Sequence, residues 1–211
     1  MRGELGAEAL ERRGGLPADL RALLERYPRE SWDAHPNLGR TARFWLDRHG
    51  MFRELGRVLR KALAERREAI ESATGAGYGA PSGGPEAGGG RAFAAFFAPR
   101  LQFFLGELDA HHHIEDHHYF PVFRRAEGSL ARGFDLLDAD HRTIHEAIER
   151  NARTANAMLR ALDGPGETGA AAAHAEDTDR MVALLLRHLE DEEDLIVPVI
   201  LERTEAWLGI G

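Results

Sequence analysis

The stretch "LLDADHRTIHEAIERNARTANAMLRAL", residues 136–162, decides the fold. Leu137, Ile144, Ile148, Ala152 and Leu159 recur at the three- and four-residue steps of one helix face. His141 and His145 fall on that same stripe. An imidazole turned towards a core needs a partner there, because a buried polar group without one costs roughly 1–3 kcal/mol. The rest of the chain must therefore supply groups at matching spacing.

Three further segments have the same character. Residues 35–73 read as one long amphipathic helix, with Trp45, His49, Phe52, Gly56, Leu59 and Leu63 on one face. A helix from about 93 to 120 ends in "HHHIEDHHYFP", residues 111–121; Pro99 kinks it or opens its main part, and Pro121 ends or bends it. A last helix from about 170 to 202 has Met181, Leu184, Leu185, His188, Glu192 and Leu195 on one side, and Pro198 should disturb its final turns. Phe52, Phe103, Phe104 and Trp45 are expected in the core. Valine and isoleucine are sparse, so the chain reads as all-α. The expected fold is an up-down-up-down four-helix bundle over 35–205. Residues 1–34 form an N-terminal extension whose short accessory helix starts at "LPADLRALLERY", and the glycine-rich 74–90 is a flexible loop within the bundle.

Composition narrows the chemistry. The 211 residues include no cysteine, which excludes disulfides, thiolate ligands and iron–sulfur clusters. A net charge of -8 argues against nucleic acid or anionic lipid as partner. No apolar run reaches the length of a membrane span, and the cytoplasm is the expected compartment.

On the four helices His111 and Glu115 are four apart, as are His141 and His145, and His188 and Glu192, while His49 stands on the first. Five imidazoles and two carboxylates exceed the coordination of one ion. They suit two ions bridged by the carboxylates, with a bridging hydroxide keeping the buried charge low. Nitrogen and oxygen donors fit iron or manganese, and zinc as well. His113 and His117 point to another face and read as solvated. His112 reads as a rim or core histidine ahead of a secondary ligand, and His118 as a neighbour of the site or a filler of the bundle end. Asp116 reads as a hydrogen-bond partner for a ligand histidine or a solvent-facing group. His174 lies too far along its helix to join.

The pattern "H…HHxIED…FP…DHRTIH…HLEDEE" resembles the hemerythrin-like (HHE cation-binding) family over roughly residues 35–203. That resemblance implies a four-helix bundle around a non-heme di-iron centre with an oxo or hydroxo bridge. It carries His49 over from "DRHGMFR", His111 and bridging Glu115 from "HHHIED", His141 and His145 from "DADHRTIH", and His188 and bridging Glu192 from "RHLEDEE". Oxygen-carrying members use an aspartate five residues after the last histidine. Here that position is Glu193, and Glu192 matches the HHE-type proteins, whereas His145 matches the carriers. The implied function is binding of O2, NO or peroxide for sensing, storage or detoxification. The alternatives are a peroxide-consuming, catalase-like enzyme and a helical bundle that metals merely hold together. His188→Ala should lower metal content, measured by elemental analysis, and His113→Ala should leave it unchanged.

Overall fold

A computed structural model of the chain describes residues 9–75 and 89–211. Among them there is no strand, and four long helices dominate: α2 (Arg40–Gly75), α3 (Gly89–Ile114), α5 (Ala131–Ala161) and α6 (Glu167–Arg203). Short helices α1 (Ala22–Arg26), α4 (Phe120–Ala126) and α7 (Glu205–Leu208) complete the set. None of the helices is long and apolar enough to cross a membrane. The all-α reading holds. Most of the glycine-rich 74–90 lies outside the described residues; its ends, to Gly75 and from Gly89, are helical.

The prolines sit within helical backbone. Pro99 and Pro198 both lie inside continuous helices. Around Pro198 nearly every residue from Asp191 to Leu201 is buried, and such packing outweighs the roughly 3 kcal/mol that an interior proline costs. Pro121 does not end the helical run, which continues to Ala126. One π turn, Glu115–Tyr119, precedes it, and the Phe120 N–H reaches back five residues to the Glu115 carbonyl. The widened turn fits a proline ring that would press on the carbonyl four residues before it.

α2 begins at Arg40, five residues later than its periodicity suggests. His35–Leu38 form a turn, and Glu205 Oε1 accepts from the Ala42 N–H at 2.8 Å, so a distant carboxylate caps the helix start. The N-terminal helix is also interrupted: Ala18–Leu20 form a 3-10 turn before α1.

The chain divides into two compact units, and each long helix contributes a stretch to both. The first unit spans residues up to Met51, then Asp109–His145 and Ala183–Gly211. Its core joins Leu16, Leu20 and Trp32 of the N-terminal segment to Phe120, Phe123, Phe134, Leu195 and Ile200. Phe123 and Phe134 stack with ring centroids 6.1 Å apart.

The second unit, Phe52–Leu108 with Glu146–Val182, buries Phe52, Leu59, Phe97, Phe104, Met158 and Met181. Phe103 is 48 % exposed, because its neighbour Phe104 takes the inward position. The stripe on α5 also drifts: Asn151, Ala155 and Met158 are buried where the spacing predicts Ala152 and Leu159. A polar network crosses this core. Asn151 Nδ2 donates to Thr178 Oγ1 at 3.0 Å, and His174 Nδ1 pairs with Thr154 Oγ1 at 2.9 Å.

Burial pushes His174 down to about 4 from the ordinary 6.5, against the opposing charge of Asp177. The unfolded chain therefore takes up this proton from about pH 6.5 downwards, while the fold refuses it until about 4. The contribution is intact above that window and is lost as pH falls through it. In urea titrations between pH 7 and 4, His174→Gln should lose less stability than the natural chain.

Candidate metal centre

All the groups in question belong to the first unit. α2 supplies His49, α3 supplies His111 and His112, the π turn supplies Glu115, α5 supplies His141, and α6 supplies His188 and Glu192. The four-residue steps His111–Glu115 and His188–Glu192 put each pair on one face. The π turn begins at Glu115 itself, so the irregular backbone sits where the carboxylate is aimed.

The donor atoms form two groups, His112, His141 and His188 in one and His49, His111, Glu115 and Glu192 in the other. Within the first, His141 Nε2 and His188 Nε2 are 3.1 Å apart. Within the second, His49 Nε2 and His111 Nε2 are 3.2 Å apart. The two carboxylates link the groups. Glu115 Oε1 is 2.8 Å from His111 Nε2 and its Oε2 3.5 Å from His141 Nε2. Glu192 Oε2 is 3.5 Å from His49 Nε2 and 3.3 Å from His188 Nε2.

Carboxylates outside this ring of donors fix the tautomers. Asp116 Oδ1 is 2.8 Å from His141 Nδ1, and Glu193 Oε1 is 2.9 Å from His49 Nδ1. A carboxylate accepts, so these Nδ1 atoms carry the hydrogens and the Nε2 lone pairs face the centre. His188 Nδ1 lies 3.5 Å from Asp140 Oδ2, an ion-pair distance rather than a hydrogen bond. Trp45 Nε1 donates to Glu192 Oε1 at 2.9 Å.

Electrostatics separate the groups. Burial pushes His111 down to about 3, against the pull of Glu192 and with the help of the other histidines. His112 is held well below its usual range, first by burial and then by His141 and His188. His141 is also lowered by burial despite Asp116. These rings are neutral with available lone pairs. Glu115 is pushed well above the carboxylate range by burial and by Glu192. Burial acts on Glu192 in the same direction, but His49, His188 and His111 outweigh it and hold its carboxyl down. His188 is the exception among the rings: burial lowers it, but Asp140 and Glu192 raise it to about 9. A cation entering the site competes for that proton.

Among the described residues, His112 Nε2, both Glu115 oxygens and Glu192 Oε2 are buried without a hydrogen-bond partner. Four orphaned acceptor-type atoms pointing into one buried site match what a metal cation would satisfy. The donor set, imidazole and carboxylate without sulfur, suits such an ion.

The structure brings His49, His111, Glu115, His141, His188 and Glu192 together and leaves His145 outside. His145 is 56 % exposed and pairs with Asp109 Oδ1 at 3.1 Å. Its ring turns to solvent and to Asp109 on α3 instead of following His141 inward. His112 joins instead, stacked on His141 with centroids 4.0 Å apart. Adjacent residues on a helix diverge by roughly 100°, so one helix can serve both groups. The run of three histidines was the only sequence signal for this. His113, His117 and His118 are exposed.

A cleft of about 290 Å³ reaches His111 and Glu115 and is walled by Phe44, Trp45, Ile114 and Tyr119. Phe44 and Ile114 are exposed.

Fold and site together define an all-α bundle whose buried histidine and glutamate clusters could hold metal ions. The model of one family, described as Hemerythrin HHE cation binding domain, matches residues 40–200, and the chain belongs to that family. No curated protein and no solved structure matches the chain. Removing the indole donor by Trp45→Phe strands a buried carboxylate oxygen, and should cost about 1–3 kcal/mol of stability in urea unfolding.

Proposed function

We propose that the chain is a non-heme di-iron protein that binds a small ligand of the O2, NO or peroxide class. His112, His141 and His188 would hold one ion and His49 and His111 the other, with Glu115 and Glu192 available to both. The supporting observation is that each carboxylate lies within 3.5 Å of one histidine from each group. A single-ion site would not need two carboxylates so arranged. Iron bound there would supply the redox chemistry that binding such a ligand requires.

The protein's own groups do the rest. Asp116 and Glu193 orient the rings of His141 and His49 through their Nδ1 hydrogens. Trp45 holds Glu192 by one oxygen and leaves the other for the centre. The cleft beside His111 and Glu115 supports an approach route for a small ligand. Its aromatic and aliphatic walls favour an apolar gas over a hydrated ion.

Protein from iron-supplied cells should contain two irons per chain by elemental analysis, with an absorption spectrum that changes between oxygen-free and oxygenated buffer. His112→Ala should lower the iron content and His145→Ala should not. One iron or none per chain would overturn the dinuclear reading. An oxygen-insensitive spectrum would remove the ligand class, and oxygen evolution from peroxide would mark an enzyme instead of a binding protein.

A further inference from the structure

The outward-facing ring nitrogens of His49, His141 and His188 each face a carboxylate: Glu193 at 2.9 Å, Asp116 at 2.8 Å and Asp140 at 3.5 Å. Two of those three carboxylates are gripped by arginines that precede residues 40–200, the stretch matched by the family. Arg13 Nη1 donates to Asp140 Oδ1 at 2.9 Å, and its Nη2 donates to Asp140 Oδ2, the two-pronged geometry only a guanidinium offers. Its Nε donates to Asp191 Oδ2 at 2.6 Å, and Asp191 also accepts from Arg187 at 2.7 Å. Arg29 Nη1 donates to Glu193 Oε2 at 2.8 Å, its Nε to Asp194 Oδ1 at 2.6 Å, and its Nη2 to the Glu190 carbonyl at 2.9 Å. The Arg13 side chain is only 5 % exposed.

From these two relays, Arg13–Asp140–His188 and Arg29–Glu193–His49, we infer that the N-terminal segment is an outer part of the metal centre. Arg13 and Arg29 are positioning residues that set how firmly the centre holds iron and how readily that iron is reduced. The inference rests on the di-iron reading above.

The physical reasons are two. First, a carboxylate fixed by a guanidinium cannot rotate, so the imidazole it contacts keeps its Nε2 aimed at the centre. Second, charge has to balance. Glu115, Asp140, Asp191, Glu192 and Glu193 are all buried, and of these Arg187 answers only Asp191, so Arg13 and Arg29 offset the charge on Asp140 and Glu193. Each guanidinium draws electron density from its carboxylate, so the imidazole behind it is a weaker donor and the ferrous state is favoured. Loss of either arginine acts in one direction, towards ferric iron, through both the Coulombic and the ligand effect.

The test uses the iron-loaded full-length protein. Arg13→Met and Arg29→Met should release iron to a chelator faster, on the order of ten-fold, and should each lower the reduction potential. Arg13→Lys keeps the charge but not the fork, and should recover the potential while releasing iron faster than the natural protein. Arg26→Met is the control. Arg26 lies in the same segment, pairs with Glu202 at 2.9 Å and is 62 % exposed, and Glu202 contacts none of the histidines of the centre. It should leave both readouts unchanged. If Arg13→Met does not fold, Arg29→Met and Arg13→Lys still carry the test. Iron release and potential identical to the natural protein in those variants would overturn the inference, as would an equal effect of Arg26→Met. If the natural protein takes up no iron, the di-iron reading itself fails, and that outcome is distinct from both.

Discussion

The constraint on which the site depends is a set of imidazole lone pairs facing one another inside a dry core. His49 and His111 meet at 3.2 Å and His141 and His188 at 3.1 Å, nitrogen to nitrogen. Two bare lone pairs at that distance repel, and the low local dielectric strengthens the repulsion. A proton or a metal ion has to lie between them. The ring hydrogens of His49 and His141 are already committed to Glu193 and Asp116 on the far side, so they cannot relieve the contact. Asp140 and Glu192 raise the affinity of His188 for a proton, and that proton can occupy the contact with His141. A metal cation satisfies the same geometry and the orphaned Glu115 and Glu192 oxygens at once.

Around that centre the charges alternate by layer. Imidazoles and two carboxylates face inward, further carboxylates sit behind the rings, and arginines sit behind two of those. Each layer makes the one inside it tolerable. A buried carboxylate without a cation is costly, whereas one shared between a ring N–H and a guanidinium is not. The aromatic groups complete the enclosure. Trp45 donates its indole hydrogen to Glu192 while its ring packs 4.7 Å from Tyr119 and 6.0 Å from Phe123. One side chain thus both satisfies the site and helps to keep water from it.

Spacing along a helix exposed much of this in the sequence, and the limits of spacing explain what it missed. Trp45, His49, Phe52 and Leu59 are all buried as their three- and four-residue steps imply. The same rule counted His145 beside His141, since it fixes a face only to within a fraction of a turn. It ranked a rim or core place for His112 above a ligand role because it assigns each helix one inward stripe, whereas α3 turns two adjacent histidines inward. Phe103 and Phe104 were indistinguishable by composition, and only the packing chose Phe104. The roles of Arg13 and Arg29 had no local signal at all. Their partners lie 127 and 164 positions away, and nothing in a run of charged residues says which carboxylate it will meet.

The π turn shows how a local irregularity serves the distant geometry. A regular α-helix from Gly89 through Ala126 would run into Pro121, whose ring and missing N–H disturb the preceding turn. The chain absorbs that disturbance over Glu115–Tyr119 by reaching one residue further back for the Phe120 hydrogen bond. The extra residue changes the angular phase between the helix on its N-terminal side and the helix on its C-terminal side. His111, His112 and Glu115 are turned to the two histidine groups, while Phe120 and Phe123 are turned to the aromatic core with Phe134. Phe120 itself stacks on His141, with ring centroids 5.3 Å apart. Proline at 121 therefore bears on the architecture of the site: the wide turn before it begins at Glu115, the carboxylate that lies close to histidines of both groups.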